Sequence, residues 1–88
     1  MLTKKVQIIN QSGLHARPAS LLIDIANKFE AKVEIIHQNR EANLKSIISV
    51  MSLAVGYGEW VTIRVEGDDA KEALDSIVEL IEGKFGEK

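Results

Sequence analysis

Trp60-Val61-Thr62-Ile63-Arg64-Val65 alternates without interruption, with Val61, Ile63 and Val65 on one side and Trp60, Thr62 and Arg64 on the other. Side chains of a strand point to opposite faces in turn, so this stretch reads as a strand with one dry face and one wet face. Downstream, Gly67-Asp68-Asp69 breaks the alternation and the period changes. Ala70, Ala73, Leu74, Ile77, Val78 and Ile81 recur at the spacing of an amphipathic helix that frays by Gly83. Asp69, three residues before Glu72, has the form of a capping box at the start of that helix. Upstream, Gly56-Tyr57-Gly58 closes a short helix over Ile47 to Leu53, which opens after Ser46, a favoured N-cap residue.

Val6-Gln7-Ile8-Ile9 reads as a first strand and Asn10-Gln11-Ser12-Gly13 as a turn. From Ala16 to about Phe29 the apolar residues Ala19, Leu22, Ile23, Ala26 and Phe29 trace a helical face, widened by Leu21 and Ile25. Pro18 fits the first turn of this helix, where its missing N–H has no partner to lose. Lys32 to Ile36 is a second strand, and Gln38-Asn39-Arg40-Glu41 turns the chain into a short third strand near Ala42 to Leu44. The order β-α-β-β-α-β-α predicts an α+β fold: a four-stranded, mainly antiparallel sheet with three helices on one face and water on the other.

The 88 residues fit one domain, spanning 1–88, with a thin core. With 45% hydrophobic and 27% charged residues, the chain has the balance of a folding protein rather than a disordered one. Eleven basic residues against 13 acidic ones give a net charge of −2 with no basic cluster, which argues against nucleic-acid binding. The absence of cysteine removes disulfides, thiolate chemistry and cysteine-based zinc sites. Neither a signal peptide nor an apolar run long enough to cross a bilayer is legible, so the expectation is a cytoplasmic monomer without membrane insertion. The Asn10-Gln11-Ser12 sequon is read as a chance tripeptide.

Two histidines carry the possible chemistry. His37 follows the second strand and is read as a surface residue without a role. His15 stands at or beside the N-cap of the first helix, a place that imidazole does not favour, and such a local misfit points to function. The amides of Ala16 and Arg17 leave the helix start without intrahelical partners and at the positive end of the dipole, suited to a dianionic group carried on the ring. Arg17 adds a planar fork of donors for phosphate oxygens. No metal site, phosphate loop or Ser/His/Asp triad has the residues it needs, and no cofactor is expected.

Gly13-Leu14-His15-Ala16-Arg17-Pro18-Ala19-Ser20, followed by Asn43-Leu44-Lys45-Ser46-Ile47 and Val50-Met51-Ser52-Leu53, closely resembles the HPr family of the phosphoenolpyruvate-dependent sugar phosphotransferase system. The resemblance covers nearly the whole chain and implies an open-faced β-sandwich. It further implies that His15 accepts a phosphoryl group on Nδ1 from enzyme I and donates it to sugar-specific IIA domains, with Arg17 and the Ala16 and Arg17 amides binding the phosphate. The chain would carry phosphate without turning over a substrate by itself. The second motif resembles Gram-positive-type relatives, implying that an HPr kinase/phosphorylase modifies Ser46, in service of carbon catabolite regulation.

Ile47, Ile48 and Met51 exceed what one short helix can bury if Val50 and Leu53 face the core, so they are expected to form a partner-binding patch, joined by Ser20. Ile48, Ser49, Asp24 and Tyr57 depart from the residues frequent in relatives and bear on partner preference. The rival reading is a regulatory binding module that docks through Ser46 and this patch on a catabolite-control transcription factor.

Overall fold

The structure, a computed structural model, describes residues 1–87. Four strands, β1 (Leu2–Gln7), β2 (Lys32–His37), β3 (Arg40–Asn43) and β4 (Trp60–Glu66), form one sheet in the order β1-β4-β2-β3. Every pairing is antiparallel. Three helices, α1 (Ala16–Ala26), α2 (Ile47–Ser52) and α3 (Ala70–Glu82), alternate with the strands in the expected order. All three cover one face, giving the open-faced β-sandwich.

Register explains why only one face is covered. Ile63 lies opposite Ile35 across one ladder, and Ile35 lies opposite Ala42 across the next; Val65 lies opposite Val33, and Val6 opposite Val61. All seven of these side chains are buried beneath the helices. The intervening rows, Lys5-Thr62-Ile36-Glu41 and Thr3-Arg64-Glu34-Asn43, face solvent. There Arg64 donates to Glu34 at 2.9 Å and also pairs with Glu41. These carboxylates hold the Arg64 guanidinium above its usual range. From the helices, Ala19, Leu22 and Ala26 of α1 and Ala70, Ala73, Leu74, Ile77, Val78 and Ile81 of α3 complete the core. Val50 and Leu53 add the contribution of α2 and its C-cap.

Several expectations are corrected. The first strand runs over Leu2–Gln7 rather than Val6–Ile9, because polar Thr3, Lys4 and Lys5 pair along the edge of β4. Ile8 and Ile9 lie beyond it, although Ile8 is buried and still exchanges backbone bonds with Gly58 and Glu59. Helix α1 stops at Ala26 instead of near Phe29, whose side chain packs on the core from the turn that follows. The third strand starts at Arg40, since Gln38 and Asn39 make a two-residue turn with φ of 51° and 66°. The short turn Lys84–Gly86 was not foreseen.

The capping box at Asp69 is absent. Asp69 is the N-cap of α3, but its carboxylate makes no cap bond; it accepts from the backbone N–H groups of Glu30 and Ala31, both at 2.9 Å. Those bonds, that from Glu30 first, hold its carboxyl below the usual range. Gly67 explains the geometry: at φ +146°, a Cβ there would sit 2.8 Å from the Ala31 Cα, so only glycine lets the two turns approach closely enough for this bond.

Candidate functional site

Residues 8–14 leave β1 and lead into α1 against the loop Val55–Glu59. Gly58 N–H donates to the Ile8 carbonyl at 2.7 Å, Ile8 N–H to the Glu59 carbonyl at 2.9 Å, and Leu14 N–H to the Val55 carbonyl at 2.9 Å. Gly13 has φ +68°, and a Cβ on it would lie 2.8 Å from the Val55 carbonyl oxygen, so this approach also requires glycine. Asn10 is buried, and its amide donates to the Gly13 carbonyl at 2.8 Å. That side chain closes the turn from inside, which agrees with reading the sequon as a chance tripeptide.

The next residue is His15, the N-cap of α1, in extended conformation (φ −82°, ψ −169°) with no side-chain cap bond. Its carbonyl accepts the first helical bond, from Ala19 N–H at 3.0 Å. The ring is therefore not consumed by capping, and its side chain is 47% exposed. Ahead of it the first three helical residues are Ala16, Arg17 and Pro18, so the donors at this helix start are the amides of Ala16 and Arg17. The acceptor expected from the sequence and the amides expected to face it are thus placed together.

Four further residues meet there that the sequence reading missed as parts of the site. Glu87 Oε2 lies 3.8 Å from His15 Nε2. Ser12 Oγ donates to both Glu87 oxygens, at 3.0 and 3.1 Å, and the Asn10 amide adds a bond of 3.4 Å. Arg17 Nη1 donates to the Phe85 carbonyl at 3.3 Å, so the guanidinium is tied to the segment that delivers Glu87. Phe85 is buried at φ +56°, a conformation costly for a side chain of its size and held here by its insertion in the core. No periodicity marks this segment; only a lone aromatic beyond the frayed helix could have signalled an anchor.

Ser46 is the N-cap of α2, accepting from Ser49 N–H at 3.4 Å. Helix α2 packs on α1 and leaves Ile47, Ile48 and Met51 outward, 39%, 80% and 41% exposed. Ser20, half-buried, lies on α1. The expected division of α2 into buried Val50 and exposed neighbours therefore holds.

His37 corrects its expectation. It is 5% exposed, with Nε2 2.5 Å from Glu59 Oε1. The error has a simple origin: His37 extends β2 by one residue on the same side as Val33 and Ile35, so the pleat turns it inward. Among the described residues no cluster of histidine and carboxylate ligands forms a metal site. No helix among them is long and apolar enough to cross a membrane.

The family model described as the PTS HPr component phosphorylation site matches residues 2–83. The chain is 39% identical to the phosphocarrier protein HPr of Treponema pallidum over 88 residues, all of both chains. It is also 39% identical to the HPr-like protein Crh of Halalkalibacterium halodurans over 82 residues, 93% of this chain and 98% of that one. The crystal structure of HPr-C-His from Thermoanaerobacter tengcongensis superposes with a TM-score of 0.97 at 44% identity, covering 100% of this chain and 99% of that one. With a family model over nearly its whole length and a matching fold, this chain belongs to the HPr family of phosphotransferase-system phosphocarriers.

Proposed function

We propose that His15 is the residue that carries the phosphoryl group. The observation that carries this reading is the half-exposed, uncapped imidazole standing before the Ala16 and Arg17 amides. In the forward step, the P–N bond on a phosphohistidine of enzyme I breaks as a new one forms to His15 Nδ1. In the second step, the group passes to a histidine of a sugar-specific IIA domain. The helix-start amides stabilise the dianion, and Arg17 reaches its oxygens on leaving the Phe85 carbonyl. A carrier must hold the group only moderately, since tight binding would stop donation. The chain works as one domain over 1–88, in the cytoplasm, as a monomer, and turns over nothing by itself.

Ser46 and the patch of Ile47, Ile48 and Met51, with Ser20 beside it, form the docking and regulatory face, modified by an HPr kinase/phosphorylase. The exposure of these three apolar side chains supports that part of the reading. It also favours the second reading, docking on a catabolite-control transcription factor, which operates through the same helix.

Incubation with enzyme I and phosphoenolpyruvate, followed by mapping of acid-labile phosphate, tests the carrier function. Label is expected on His15, absent in His15→Ala and retained at the end point in His37→Ala. Label persisting in His15→Ala overturns the assignment.

A further inference from the structure

We infer that the pair formed by buried His37 and partly exposed Glu59 is a brace that positions His15, acting through the Val55–Glu59 loop. This deepens the reading of His15 as phosphoryl acceptor and rests on it.

Glu59 is joined to three separate parts of the fold. One carboxylate oxygen meets His37 Nε2 at 2.5 Å, and the other accepts from Gly56 N–H at 2.9 Å. Its backbone N–H donates to the Gly56 carbonyl at 3.3 Å, and its carbonyl accepts from Ile8 N–H at 2.9 Å. Side chain and main chain together therefore close the turn Gly56–Glu59. This turn contains Gly58 at φ +84°, which glycine adopts readily, and follows Ala54 at φ +53°, a conformation that local preference alone would not select. The opposite anchor is firm: His37 ends β2, where the preceding residue Ile36 is still paired with Thr62 of β4.

The loop so fixed is the one on which the residues before His15 rest. Both ends of the 8–14 segment are bonded to it, Ile8 through Gly58 and Glu59, Leu14 through Val55, and Gly13 packs against Val55 and Gly56. Leu14 is buried, and His15 follows it directly. A displacement of the Gly56–Glu59 turn therefore moves the N-cap of α1 and, with it, the imidazole relative to the Ala16 and Arg17 amides. His37 and Glu59 touch no transferring group; they are positioning residues.

Transfer is sensitive to such shifts, because a misplacement of about 1 Å can slow a reaction about a hundredfold. The test uses the full chain as the substrate of enzyme I, comparing wild type with His37→Phe, His37→Gln, Glu59→Ala and the double variant His37→Phe/Glu59→Ala. His37→Phe keeps the bulk and loses the hydrogen bond, whereas His37→Gln retains a donor. The expected result is a fall of about tenfold in kcat for His15 phosphorylation in His37→Phe and Glu59→Ala, with KM changed less than about twofold. The double variant should be no slower than the slower single one, since the pair acts as a unit. His37→Gln should recover most of the loss. Full wild-type kcat in His37→Phe and Glu59→Ala, additive losses in the double, or no recovery in His37→Gln overturns the brace. If His37→Phe does not fold, Glu59→Ala and the His37→Gln recovery relative to His37→Ala decide the matter. Absence of label on His15 in wild type would instead refute the acceptor assignment, so the two failures are distinct.

Discussion

Glu87 stands against His15, the proposed site of phosphorylation: its Oε2 is 3.8 Å from the ring Nε2, and Ser12 and Asn10 hold it there. An anion so placed opposes a dianion on the same imidazole. Phosphorylation of His15 is therefore expected to loosen the Ser12–Glu87 contact. Glu87→Gln should shift the phosphoryl equilibrium with enzyme I toward the carrier by about twofold to fivefold, the range of one partly exposed charge pair. The check is the phosphorylated fraction at equilibrium over a range of phosphoenolpyruvate-to-pyruvate ratios. An unchanged fraction would mean that Glu87 does not act on the ring.

Arg17 is bound in this structure to the Phe85 carbonyl, a neutral partner that a phosphoryl oxygen can outcompete. Arg17→Ala should leave the circular dichroism spectrum intact and slow transfer in at least one direction by about tenfold or more, matching the ~1.5–3 kcal/mol of a charge-assisted hydrogen bond. Arg17→Lys should recover part of this, because a point charge cannot reproduce the planar fork. Stopped-flow transfer in both directions decides it: wild-type rates each way would show that the amides suffice.

Ser46 caps α2 through a long bond, so its loss is a small matter for stability, about 0.5–1 kcal/mol for Ser46→Ala. Phosphorylation there acts differently, placing nearly two negative charges beside Ile47, Ile48 and Met51. Lower affinity for enzyme I is expected, with Tm nearly unchanged. Binding measured by calorimetry with the phosphoserine form tests this, and an unaltered Kd would remove Ser46 from the docking face.

Two carboxylates link stability to acid. Asp69 is held below its usual range by the Glu30 and Ala31 amides, and Glu59 by the Gly56 amide and then His37. Because the folded state lowers both pKa values, their contribution is complete above the ordinary carboxylate range and is lost as pH falls through it toward the depressed values. Tm should therefore decline from pH 6 to pH 3, and less steeply in Asp69→Asn/Glu59→Gln than in wild type. Parallel curves for the two proteins would contradict the assignment.

The strands and helices that bury one regular stripe were legible because periodicity records burial: β4 and α3 follow their patterns residue by residue. His15 was legible because an imidazole is a poor cap, and Ser46 because serine is a good one. What escaped were contacts between distant segments. Asp69 has the right spacing to cap its own helix, yet two backbone amides some forty residues away in sequence compete successfully for its oxygens. His37 is the last residue of β2, one past the strand expected from the sequence, where polarity suggested solvent and the pleat dictated the core. Glu87 reaches His15 with Phe85 anchored in the interior and Ser12 and Asn10 bonding its carboxylate, a long-range arrangement that no periodicity marks.

The strand order β1-β4-β2-β3 also governs when the molecule becomes whole. Strand β1 has one neighbour, β4, with Leu2 opposite Val65, so β1 waits for a partner some sixty residues further along the chain. Such distant pairing makes folding slower than in a helical bundle of similar size. The Val55–Glu59 loop that supports the turn before His15 belongs to the same late-arriving stretch. A nascent chain stopped short of Glu59 would hold every residue from Gly13 to Ser20 and still lack the support that sets them in place. On the proposed role of His15, competence to accept phosphate is expected only once the sheet closes, rather than to build up along the growing chain.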